Sequence, residues 1–131
     1  MNIIAIYLDK LYHTTVKYSI TNCQAHLNRK LHSTKQYIAY LNRKRQNIVA
    51  YIEQLTTEVE NKYIDLMDQY QISNVQRMEN INNAELSALM HDLNEAESDC
   101  ARIEADLSEQ NKTRITLERE CDMIAQMSLV A

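Results

Sequence analysis

Cys23, His26 and His32 come nearest to a metal-binding set in this chain. Cys23 and His26, three apart, would share a helix face, and His32 follows within two turns. Structural zinc takes four ligands. No fourth cysteine or histidine lies nearby, so no metal is assigned and Cys23 is expected to be an ordinary half-buried side chain. Cys100 and Cys121 complete a total of three cysteines. An odd count with no ligand spacing suits reduced thiols.

Carboxylate chemistry fares no better. Glu95 with Glu97, and Glu118 with Glu120, look like acid–base partners. Residues two apart on a helix point to different faces and cannot share one substrate atom. They read as a solvated acidic face. No catalytic residue and no cofactor are assigned.

The basic residues Arg29, Lys30, Lys35, Arg43, Lys44 and Arg45 form the third group. All eight tyrosines lie within the first 70 residues, interleaved with these bases. Such a segment could neutralise phosphates and stack on bases. The isoelectric point near 5.5 argues against a dedicated nucleic-acid binder, whose footprint is basic overall. An acidic protein surface, such as a cytoskeletal filament, would suit the same patch.

The elements that must carry these groups are set by composition. The chain has 131 residues and neither glycine nor proline. Phosphate-binding loops, nucleophile elbows, EF-hand loops and tight hairpins all need glycine at fixed places. The expected fold is therefore all-α.

Two runs of alternating three- and four-residue spacing define the helices. The first passes through Leu27, Leu31, Thr34, Ile38, Leu41, Arg45, Ile48, Ile52, Leu55, Val59, Lys62 and Leu66. The second passes through Leu86, Leu89, Leu93, Ala96, Cys100, Ile103, Leu107, Gln110, Arg114, Leu117, Cys121 and Ile124. Nine of the twelve positions in the first run and ten of the twelve in the second are apolar. This is the pattern of a coiled-coil seam. The spacing predicts an elongated coiled coil with long helices over about 22–72 and 83–128. The two runs are out of phase by one residue, which predicts a turn or kink near 73–83. Asn82 with Glu85 resembles a capping box there. The stiff run His13-Thr14-Thr15-Val16 and the capping spacing at Thr21 predict a separate short helix at the N-terminus. It would use Ile4, Leu8, Leu11 and Tyr18. The domains are then 1–20, a short amphipathic helix, and 21–131, a single coiled-coil domain.

Charge is divided unevenly. Residues 1–50 hold eight bases against one acid, and residues 51–131 hold six bases against seventeen acids. Asp92, Asp99, Asp106 and Glu120 flank the second seam on one side, and Glu97, Glu104 and Glu118 on the other. Two copies of that helix would place acid beside acid. A turn at residue 78 would set 47–64 against 92–109, again acid against acid.

This pattern favours partner chains. The expected function is that of a non-catalytic coiled-coil subunit of a hetero-oligomeric cytoskeletal, spindle or trafficking assembly. Its partner-binding seam would be Leu27, Leu31, Ile38, Leu41, Ile48, Ile52, Leu55, Leu86, Leu89, Leu93, Ile103, Leu107, Leu117 and Ile124. In length and helix style the chain is similar to small subunits of spindle and trafficking complexes, although no motif carries that likeness. The alternatives are a nucleic-acid-binding helical protein using 29–45 and a self-contained helical-hairpin adaptor. Residues 3–8 are apolar but too few for a membrane span or a secretory signal. The expected location is cytoplasmic, with cytoskeletal association, and neither membrane nor nucleic acid is the expected partner.

Overall fold

The computed structural model describes residues 3–70 and 83–130, with side chains of all but Tyr70 and Val130. It is all-helical over these residues. Helix α1 runs Ile3–Tyr70, 68 residues, and helix α2 runs Ala84–Val130, 47 residues. No helix is long and apolar enough among the described residues to cross a membrane.

Continuity of α1 from Ile3 corrects the expectation of a separate helix over 1–20. Three threonines that signalled a break are absorbed into the helix. The hydroxyls of Thr14, Thr15 and Thr21 donate to the carbonyls of Lys10, Leu11 and Lys17, each at 2.9 Å. Back-bonding of this kind satisfies the hydroxyl within the helix. Thr21 is therefore mid-helix and not a cap.

The expected turn or kink near 73–83 lies outside the described residues, except for Asn83. Asn83 caps α2, its Oδ1 accepting from the Leu86 backbone N–H at 2.9 Å. The expected capping residue, Asn82, lies outside the described residues. Glu85 stands in the first turn of α2, where the helix dipole favours a negative charge.

The chain divides into two compact units, Met1–Tyr40 with Ser108–Ala131, and Leu41–Leu107. Each contains one segment of α1 and one of α2.

In the unit Leu41–Leu107 the buried apolar residues are Leu41, Leu55, Val59, Leu66, Leu86, Ala96 and Leu107. A cluster of Val59, Leu66 and Leu86 is enclosed by Tyr63, Met67, Leu89 and Leu93. Leu66 is the most deeply buried, at 2% exposed. A leucine on a lone helix stays largely in water, so the second helix supplies the cover. Each such leucine contributes about 1.5–3 kcal/mol.

In the other unit Ile20, Leu27 and Leu117 are buried, together with Thr34. The Thr34 hydroxyl donates to the Lys30 carbonyl at 2.9 Å, so its burial leaves no unmet donor.

Candidate interaction surfaces

The residues expected to bind partners sit on the faces where α1 and α2 meet. Leu27, Leu41, Leu55, Leu86, Leu107 and Leu117 are buried, and Leu31, Ile38, Ile48, Ile52, Leu89, Leu93, Ile103 and Ile124 are half-buried.

Within each unit the helices run antiparallel. In Leu41–Leu107, Arg45 meets Glu104 at 3.1 Å and Lys62 meets Glu85. The Tyr63 hydroxyl donates to the Met90 sulfur at 3.8 Å. In the other unit Lys35 stands 3.9 Å from Glu118, and the Cys121 thiol donates to Asn28 Oδ1 at 3.6 Å.

These contacts shift the register by about one heptad from the expected opposition of 47–64 to 92–109, while Ile48 and Tyr51 still lie beside Asp92, Glu95 and Asp99. Arg45, just outside that segment, and Lys62, within it, meet carboxylates on α2. Glu53, Glu58, Glu60, Asp92, Glu95, Glu97 and Asp99 are all exposed, where water and salt screen their repulsion.

The polar positions within the apolar runs behave as amphipathic side chains. Lys62 is half-buried along its stem and carries its ammonium to Glu85. The Lys62 hydrogen bond, followed by its positive charge, holds the Glu85 carboxyl below the usual glutamate range. Arg114 Nη1 donates to both carboxylate oxygens of Glu118, one turn along α2, at 3.0 and 3.1 Å.

The six basic residues singled out above are exposed. Lys35 and Arg45 are directed at carboxylates on α2. The nearby Tyr37 and Tyr40 rings stack on each other, with centroids 6.1 Å apart. None of these observations defines a groove for a nucleic-acid strand.

Cys23, His26 and His32 are exposed on α1. Among the described residues, no group of three or more His, Cys, Asp or Glu side chains is placed to hold a metal ion. Cys23 is thus more exposed than expected. Cys100 is half-buried, and its thiol donates to Glu104 at 3.8 Å. Burial first, then the negative charge of Glu104, pushes the Cys100 thiol above its ordinary range.

A further set of exposed apolar residues lies outside both heptad runs. Near the start of α1, Ile3, Ile4, Tyr7, Leu8, Leu11, Tyr12 and Tyr18 are all more than half exposed. Near the end of α2, Met123, Met127 and Leu129 are exposed as well.

No protein-family model, curated protein or solved structure matches the chain.

Proposed function

We propose that the chain is a non-catalytic coiled-coil adaptor, self-contained in that α1 and α2 close on each other. Its work is helix–helix association with other proteins through the faces left exposed. The observation that carries this reading is the cross-helix set Arg45–Glu104, Lys62–Glu85 and Lys35–Glu118, which borders buried stripes within each unit. The apolar runs then need no other chain to be covered. Opposite charges bordering a seam select its pairing, and here they lie on the same polypeptide.

The hetero-oligomeric scaffold reading drew its support from like charges meeting within the chain. The three base–acid pairs favour closure within the chain over that reading. Association with a cytoskeletal, spindle or trafficking assembly would then use the exposed surface and not the seam.

Purifying the chain alone and melting it at low concentration tests the proposal. An adaptor of this kind is expected to be α-helical and to unfold cooperatively, at a temperature independent of dilution. A chain that is unstructured alone and becomes helical only with added partner chains would overturn it in favour of an obligate subunit.

A further inference from the structure

The two units are of similar length but hold unequal cores. Among the described residues, Ile20, Leu27 and Leu117 are the apolar side chains buried in Met1–Tyr40 with Ser108–Ala131, against seven in Leu41–Leu107. The smaller core also carries polar groups at successive positions of its α2 run. Gln110 and Arg114 are half-buried there, and Thr34 on α1 is buried.

Arg114 directs its hydrogen bonds along α2 and not across the seam. Its Nε donates to Asn111 at 3.4 Å and its Nη1 to Glu118. Lys35 and Glu118 do meet across the helices, but at 3.9 Å and with both side chains partly in water, so the pair contributes little. The Cys121 thiol that reaches Asn28 is a weak donor. Hydrophobic stabilisation follows the apolar area removed from water, so this unit is the more weakly held of the two.

Chain order sets which unit can open alone. Leu41–Leu107 is one continuous stretch, whereas the other unit joins two stretches lying on either side of it in sequence. Opening Leu41–Leu107 while the other stayed closed would leave that whole stretch as a loop pinned at both ends. The reverse order avoids this closure entropy.

We propose that Met1–Tyr40 with Ser108–Ala131 is a clasp, which opens as a unit while Leu41–Leu107 stays closed. Closed, its seam is covered within the chain. Open, Leu27, Leu31 and Leu117 are released together. Sub-global opening of this kind draws on the least stable part of a fold. The inference rests on the adaptor reading, since it takes the two helices to close within one chain.

Each unit holds one half-buried cysteine on α2, Cys121 in the clasp and Cys100 in Leu41–Leu107. Labelling the full chain with a maleimide too bulky for a half-buried thiol reports the opening of each. Peptide mass spectrometry follows both sites, and each rate is divided by its rate in the urea-unfolded chain to remove differences in thiolate content. Cys121 is expected to label faster than Cys100. Leu66→Ala, in Leu41–Leu107, is expected to raise Cys100 labelling more than about tenfold and to leave Cys121 labelling unchanged. Leu27→Ala, in the clasp, is expected to raise both, because Cys100 becomes accessible only after the clasp has opened. Val59→Ala takes the place of Leu66→Ala if circular dichroism shows that variant to lose helix.

Two thiols that label equally, or that rise together with Leu66→Ala, would mean one cooperative unit and overturn the inference. Leu27→Ala raising Cys121 alone would mean that the units open independently, and overturns it as well. Rates that fall as chain concentration rises would count instead against closure within one chain, and so against the adaptor reading.

Discussion

Arg45 Nε donates to Glu104 Oε1 at 3.1 Å, joining α1 to α2 across 59 residues of sequence. The pair sets a basic flank of one helix against an acidic flank of the other. Both side chains are about half exposed, at 49% and 52%, so the contact specifies alignment more than it stabilises.

Reversing that pair reports the alignment. Arg45→Glu alone faces Glu104 with a second carboxylate, and Glu104→Arg alone faces Arg45 with a second guanidinium. Each is expected to cost about 0.2–1 kcal/mol, and the double reversal is expected to recover most of it. Urea denaturation of the four proteins in the cycle gives the coupling.

Leu66 anchors the packed cluster with Val59 and Leu86. Leu66→Ala removes a side chain that is 2% exposed and is expected to cost about 2–5 kcal/mol. Leu8→Ala, on the exposed stripe, is expected to leave the melting temperature of the dilute chain nearly unchanged. Thermal melts of the two variants make the comparison.

The start of α2 depends on one side-chain oxygen. Asn83→Ala deletes the acceptor that serves the Leu86 N–H and is expected to destabilise by about 1 kcal/mol. Asn83→Asp keeps an acceptor and should retain stability. Denaturation midpoints of both variants check this.

Lys62 and Glu85 make stability depend on pH. Lys62 lowers the folded-state pKa of Glu85, so the unfolded chain takes up this proton first as pH falls. The stabilisation is full above the unfolded carboxylate value, shrinks as pH falls toward the lowered folded value, and is gone below it. Melting temperature measured against pH should fall more steeply across this window in the wild type than in Glu85→Gln.

The thiols should differ in reactivity. Cys23 is exposed, whereas Cys100 is half-buried and its pKa is raised. Alkylation proceeds through the thiolate. Iodoacetamide at neutral pH is expected to label Cys23 well before Cys100, as followed by mass spectrometry of the peptides.

The all-helical fold was legible because a chain without glycine or proline has few other options. Leu41, Leu55, Leu66, Leu86, Leu107 and Leu117 were legible as inward-facing from their spacing alone. The start of α1 was not. Thr14, Thr15 and Thr21 weigh against a helix by local propensity, a weak prior that back-bonding to Lys10, Leu11 and Lys17 offsets. The alignment of α1 with α2 was not legible either. Heptads repeat, and a shift of one repeat exchanges favourable charge pairs for repulsive ones while leaving apolar residues facing inward. That shift separates the expected acid-against-acid pairing from the observed Arg45–Glu104 and Lys62–Glu85 contacts. The stripe through Leu8 and Leu11 was visible as amphipathic.

Whether α1 and α2 close on each other within one chain is tested most directly by crosslinking at Asn28 and Cys121, whose side chains meet at 3.6 Å. An Asn28→Cys chain with Cys23 and Cys100 replaced by serine is treated with a short bis-maleimide over a dilution series. Closure within one chain gives a crosslinked monomer, mapped to positions 28 and 121, in a yield independent of concentration. A link that forms only between two chains and disappears on dilution would contradict it.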